Sequence, residues 1–458
     1  MPQRLAVNPR PSRQSVYTIE PPRRRIELGL LLLVSLATAL AYLLALYGQH
    51  PSATLAFNPY IATIIVAPYL AHIANRKLAP LADPSFLPLA SLLNGIGFVV
   101  IHRLDVAEGR LQVIWTIVGV TAYIATLLIV RSSDTLDRYR YLLVAGGVVL
   151  LFTPLIPHIG QNINGERLWI RVGPLSFQPV EAAKLLLAVF TASYLTDKQD
   201  LLRRFSLRNR STRSVALRTF GPLGAAWALS LLVMTAERDI GFGLLLFTTF
   251  LTMLWIATAN KVFVGFGLAL FAVGFFVADK LFYQVNERIT IWLDPWKYAL
   301  STGYQIVQGQ YAFGSGGLTG TGLGLGHPTL IPVVTSDFIF AAIGEEMGLL
   351  GTTAILFAIL LIVGAGFRTA VRARTEFSSL TAFSFTLIFA LQTFFIIAGV
   401  TRVLPLTGVT LPFVAYGGSS LLANYVLIAI LTRISHEGNV TYGPPMRSSP
   451  RATVPQTP

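Results

Sequence analysis

Long apolar runs separated by short polar breaks dominate this chain. Several reach 17 or more residues, the length at which a helix crosses a bilayer. The pattern predicts about twelve spans, near 27–47, 59–74, 86–101, 111–130, 140–156, 179–195, 219–235, 240–258, 262–280, 347–367, 378–400 and 412–432. The second and third are short and carry Pro68 and Pro88. Two polar segments between spans are long, 157–178 and 284–336, and loops of that size usually carry function. The expected fold is all-α: a polytopic integral membrane protein with a long extracytoplasmic loop.

Composition agrees. Of 458 residues, 53% are apolar and 12% charged, with mean hydropathy +0.63; soluble domains carry about twice that charge. The net charge of +14 raises nucleic acid as a partner, but its distribution excludes that reading. With the N-terminus inside, 25 of the 35 Lys and Arg fall on inner segments, nine on outer ones, and Lys184 lies within a span. That bias sets topology and faces lipid headgroups, with both termini cytoplasmic. Absence of cysteine rules out disulfides and thiol chemistry. The first run follows "PPRRR" without a small-residue cleavage site, so it reads as a retained helix. Residues 1–26 and 435–458 are expected to be disordered tails.

Candidate chemistry clusters on the outer side. "FQPVEAAK" opens the sixth span, with Pro179 in the first helical turn. Glu181 and Lys184 are three apart and share a face, about one turn below the surface. An ionisable pair at that depth is either functional or a structural link between helices. Arg167, Arg171, Arg238, Arg288, Lys297 and Arg402 also fall outside, with Trp169, Trp292 and Trp296 among them. Such residues serve as membrane anchors or, if they converge, as a phosphate-binding surface. "GSGGLTGTGLGLGHP" lacks the Lys-Ser/Thr of a nucleotide-binding P-loop. Its glycines suit a flexible re-entrant loop, or amides gathered on an anion. Only His158 and His327 lie in the long outer segments, which argues against a zinc enzyme.

"PVVTSDFIFAAIGEEMG" places Asp337, Glu345 and Glu346 at a membrane edge. Asp337 precedes an apolar helical run, the position of an N-cap. A carboxylate at a wet boundary also suits a general base.

Six blocks, "NGERLWIRVGPLSFQPVEAAK", "AERDIG", "WLDP", "GYQIVQGQYAFGSGGLTGTGLG", "SDFIFAAIGEE" and "LPFVAYGGSSLL", resemble in order those of the SEDS family (shape, elongation, division and sporulation). The resemblance covers roughly residues 84–434. The "AERD" block and long N-terminus lean toward the RodA branch rather than FtsW. The chain departs from the family pattern at Glu237-Arg238, where Gln-Pro is usual, and in "IPVVTSDF", which lacks a nearby acid and histidine.

The resemblance implies a peptidoglycan glycosyltransferase that polymerises lipid II into glycan strands on the outer membrane face, for elongation and shape. It implies a class B penicillin-binding protein as transpeptidase partner and maps the family's catalytic aspartate to Asp337. The Glu181–Lys184 pair and the outer cations become expected substrate contacts, with a divalent cation (Mg or Mn) as a possible cofactor. It also implies a core of about ten spans, over 83–434, with 27–82 as two accessory helices. The alternatives are a lipid II flippase, whose essential polar groups should sit at mid-membrane, and a non-catalytic scaffold of the cell-wall complex.

Overall fold

The computed structural model describes residues 22–52, 57–163, 166–173, 175–203, 220–229, 231–232, 240–281 and 283–441. Each predicted span is mainly helical where it is described, although the twelfth begins at Gly418 rather than at 412. In order these are α1 (Pro22–Gln49), α2 (Pro59–Leu78), α3 (Phe86–Leu104), α4 (Val106–Ile129), the short α5 (Asp134–Arg138), α6 (Arg140–Phe152) and α7 (Pro179–Arg203). There follow α8 (Phe220–Leu229), α9 (Ile240–Thr258), α10 (Lys261–Leu281), α11 (Tyr283–Leu293), α12 (Tyr304–Gly316), α13 (Ile339–Val371), α14 (Glu376–Val400) and α15 (Gly418–Thr441). Among the described residues seven of these are long and apolar enough to cross a membrane alone: α1, α3, α4, α9, α13, α14 and α15. Shorter apolar helices run Arg140–Leu155, Phe220–Leu229 and Lys261–Phe276. Asn75, Arg76 and Lys77 at the end of α2, and Glu181 and Lys184 in α7, dilute the apolar length of those two helices.

Local chemistry sets several boundaries. Asn58 accepts the Tyr60 N–H ahead of Pro59 and starts α2. Asp105, in an extended conformation, ends α3 and caps α4 by accepting from Ala107 and Glu108. Thr375 caps α14 through Ser378.

Two expectations are corrected and one is extended. Helix begins at Pro22 and continues to Thr441, inside both segments expected to be disordered; residues 1–21 and 442–458 lie outside the described residues. The fold is mainly helical as expected, and segment 157–178 adds a three-stranded antiparallel sheet. Its strands are β1 (Gly160–Ile163), β2 (Glu166–Val172) and β3 (Leu175–Phe177), with Gln161 opposite Trp169 and Arg171 opposite Ser176. Much of segment 284–336 is helical, in α11 and α12, rather than loop.

α15 is the centre of the bundle, with 89% of its apolar window buried, whereas α1 is peripheral at 22%. At the end away from the sheet, Arg433 donates to the carbonyls of Leu78 (2.7 Å), Leu127 (2.7 Å) and Val130 (2.8 Å). It thereby satisfies carbonyls left over where α2 and α4 stop. Glu27 holds α1 to α2 at this end: it pairs with Arg24 and takes His72 Nδ1 at 2.6 Å, all three buried.

Candidate active site

α13 is two pieces. Its 33 residues would span about 50 Å, more than the ~30 Å of hydrocarbon. The break is Gly348, at φ 64° and ψ −164° inside the helix, a conformation open to glycine at little cost. The first piece, 339–347, is buried nearly all round: Ile339, Phe340, Ala341, Ala342 and Ile343 are 0–4% exposed. It is therefore a packed rod rather than a lipid-facing span; Glu345 and Glu346 interrupt the apolar run, so apolar length alone put the tenth span at 347.

Asp337 stands immediately before this rod and is half-buried. It is not the cap: that position is Phe338, which makes no side-chain capping bond. The Asp337 and Ser336 amides instead donate to the Val333 carbonyl at 3.3 and 3.4 Å, and the Ser336 hydroxyl donates to Asp337 Oδ1 at 3.2 Å. Val333 has φ 51°, rare for a β-branched residue and a form of local strain that gathers at functional sites. Arg402 (φ 63°) and Phe413 (φ 64°) show the same strain at this end of the bundle.

Thr335, two residues earlier, is held twice. Its carbonyl accepts the Tyr416 N–H at 2.9 Å, and its hydroxyl bonds the Glu108 carboxylate from the start of α4. Burial, and then the charges of Glu108 and Asp105, push the Tyr416 phenol up to about 12. Tyr416 therefore stays a neutral hydrogen-bond donor at physiological pH.

The glycine-rich segment after α12 is tied into the bundle by hydrogen bonds. Its amides do gather on an anion, but the anions belong to the protein. Glu346 accepts from the Gly324 and Gly326 amides and pairs with Arg103 at 2.6 Å. Glu345 Oε1 accepts the His327 N–H at 2.7 Å. The Thr321 and Gly322 amides bond the backbone carbonyls of Glu345 and Glu346, both at 2.9 Å. This accounts for two of the three acids in "SDFIFAAIGEE". Glu346→Gln removes the charge facing Arg103 while keeping an acceptor, so it should destabilise the protein by roughly 1–3 kcal/mol. Thermal unfolding of the purified protein in detergent measures this.

The predicted Glu181–Lys184 pair forms, with both side chains fully buried. Lys184 Nζ also donates to Gln392 Oε1 at 2.7 Å and lies 5.6 Å from the centre of the Phe242 ring. Gln392 Nε2 donates on to the Thr410 carbonyl at 3.0 Å, and the Gln178 N–H donates to Ser419 Oγ at 2.7 Å. Segment 401–417 thus meets the Asp337 turn through Tyr416 and the buried pair through Thr410.

The cations divide. Arg402 donates to the Trp292 (2.9 Å) and Leu293 (2.7 Å) carbonyls at the end of α11, a C-terminal cap. Arg288 on α11 is half-buried beside Gly408 of segment 401–417. Arg171 and Lys297 are exposed, the first bonded to the Gly173 carbonyl at 3.2 Å. Arg167 lies on β2, and Arg238 lies outside the described residues. Sequence reasoning missed Arg103, Glu108 and Gln392. Each gains its role only from a partner more than 200 residues away in the chain, and local spacing carries no signal for that. Among the described residues no three His, Asp or Glu side chains stand close enough to hold a metal ion.

Comparisons with known proteins converge. A family model described as cell cycle protein, FtsW/RodA/SpoVE, matches residues 85–440. The peptidoglycan glycosyltransferase RodA of Mycobacterium tuberculosis is 40% identical over 97% of both chains. The probable peptidoglycan glycosyltransferase FtsW of Geobacter sulfurreducens is 34% identical over 66% of this chain and 78% of its own. A chain from a structure titled "Structural coordination of polymerization and crosslinking by a peptidoglycan synthase complex" superposes with a TM-score of 0.64, at 22% identity, over 78% of this chain and 98% of its own. Helical architecture, the ordered blocks and the extent of these matches agree: the chain belongs to the FtsW/RodA/SpoVE family, and its resemblance runs further along the RodA relative than along the FtsW one.

Proposed function

We propose that this chain is a peptidoglycan glycosyltransferase that polymerises lipid II on the outer face of the cytoplasmic membrane, with Asp337 as general base. The carrying observation is Asp337 itself: half-buried and held in a strained turn at the head of a buried rod. The Asp337 carboxylate takes the proton of the acceptor sugar's 4-hydroxyl. The freed oxygen attacks the donor's anomeric carbon with inversion, and the bond to undecaprenyl pyrophosphate breaks. Charge gathers on the departing pyrophosphate, where cations stabilise it. Arg288, on α11 beside Gly408, and Arg402, in segment 401–417 and bonded to the end of α11, are candidates, with Arg167, Arg171, Arg238 and Lys297 on the surrounding segments.

Lipid II assembled into strands needs cross-linking, and the structural relative belongs to a complex that coordinates polymerization and crosslinking. A class B penicillin-binding protein is the partner this reading assigns, and elongation the process. The basic end of the bundle, with Arg24, Arg140, Arg374 and Arg433, faces the cytoplasm along with both termini.

The test is purified full-length protein in liposomes with lipid II. Glycan strands of increasing length are expected. Lipid II crossing the bilayer without strand formation would point to a transporter, and neither activity to a scaffold. Topology has its own check, because the chain contains no cysteine. Leu300→Cys, at a residue 99% exposed, should react with an impermeant maleimide added to intact spheroplasts. Arg131→Cys, exposed at the other end, should react only after permeabilisation. The reverse labelling would invert the orientation.

A further inference from the structure

The helix pair α1–α2 precedes residue 85, where the family match begins. Nothing so far gives it a part in the chemistry. Yet the last turn of α1 presses directly on the glycine-rich segment. A Cβ at Gly48 would stand 2.2 Å from the Leu323 carbonyl oxygen, and one at Gly324 would stand 2.6 Å from the Ala45 carbonyl oxygen. Here two backbones touch. The Leu323 side chain packs beside Ala41, Ala45, Ile64 and Phe98, and Gln49 Nε2 donates to the Arg103 carbonyl at 3.3 Å.

The contacts alternate along the segment. Thr321 and Gly322 bond inward to the carbonyls of Glu345 and Glu346. Leu323 and the Cα of Gly324 bear outward on α1, while the Gly324 amide stays on Glu346. Gly326 and His327 turn inward again, to Arg103 at 2.7 Å and Glu345 at 2.7 Å. The segment is clamped between α1 on one side and the lower end of the 339–347 rod on the other. The upper end of that rod carries Asp337.

We infer that α1 is a positioning element of the active site: its last turn wedges the glycine-rich segment against Glu345 and Glu346 and so fixes where Asp337 sits. This rests on the reading of Asp337 as the base. Gly48 touches no substrate and acts only through the segment and the rod. A displacement of about 1 Å at a reacting group can lower a rate on the order of 10²-fold, so a side chain forced into the Gly48 contact should be felt as lost turnover.

The experiment uses the full-length protein in liposomes and follows the initial rate of lipid II polymerisation against lipid II concentration. Gly48→Leu should lower kcat on the order of 10²-fold with little change in KM. Hydrogen–deuterium exchange at the Thr321 and Gly322 amides should rise while that of α14 stays as in the wild type. Gly48→Ala, whose single methyl meets the same carbonyl, should give the same two effects at smaller amplitude if the larger variant fails to fold. Gly29→Leu is the control: it lies on the same helix with no heavy atom within 4 Å of its Cβ position, and it should match the wild type. Faster exchange at 321–322 with unchanged kcat would overturn the inference, as would a lower kcat without faster exchange. If Asp337→Asn is inactive while both Gly48 variants polymerise normally, only the wedge falls. An inactive wild-type chain would refute the glycosyltransferase reading, and the wedge with it.

Discussion

Asp337→Asn should abolish strand synthesis while leaving the protein folded. General-base catalysis typically contributes 10²–10⁴-fold, and an amide cannot accept the proton that the acceptor hydroxyl must lose. The rate of lipid II consumption should therefore fall by about that factor. The substitution is nearly isosteric and keeps an Oδ1 to accept from Ser336 Oγ. With that bond kept, the melting temperature should stay close to that of the wild type. Asp337→Glu keeps the carboxylate but pushes it one methylene further from the strained turn, so it should retain a small, measurable rate. An Asn variant that still builds long strands would remove the base from Asp337. One that is inactive but also unfolded at lower temperature would show the residue to be structural.

That prediction depends on a position the sequence located more readily than it explained. The order of the blocks placed Asp337 on the outer side, and the structure keeps it at the end of the bundle that holds the sheet and α11–α12. Its surroundings were not readable in advance. A Ser-Asp pair before an apolar run looks like a helix cap, because capping is a local rule. What displaces that reading is tertiary: a turn strained at Val333, tied to Tyr416 across the chain. The twelve helical segments were legible because crossing a membrane requires sustained apolar length. The small sheet was not, because strands of three to seven residues with mixed polarity leave no periodicity to detect. The contacts of the glycine-rich segment were not readable because its partners Glu345, Glu346 and Arg103 all lie outside it. Glu181 and Lys184 were recoverable because an i,i+3 ion pair in one helix is the rare case in which both partners of a buried interaction lie close in sequence.

The second large effect concerns that pair. Lys184→Met should destabilise the protein by about 3–5 kcal/mol, the usual result of removing one partner of a buried ion pair. The Glu181 carboxylate would be left fully buried, with its Oε1 already lacking a partner among the described residues. Gln392 would lose the ammonium it accepts from, and with it the link that runs through its side chain to the Thr410 carbonyl of segment 401–417. The double variant Glu181→Gln/Lys184→Met removes both charges together and should recover much of the loss, since replacing a whole buried pair by neutral groups is often close to neutral. Unfolding of the wild type, the two single variants and the double variant gives the coupling between the two residues. Polymerisation by the same four proteins then separates two roles that proximity alone leaves joined. With both side chains closed off from solvent, the double variant should regain activity in step with its stability. A double variant that is stable yet makes no strands would place the pair against the substrate during the reaction, and would mean that α7, α14 and segment 401–417 open around Lys184 when lipid II binds.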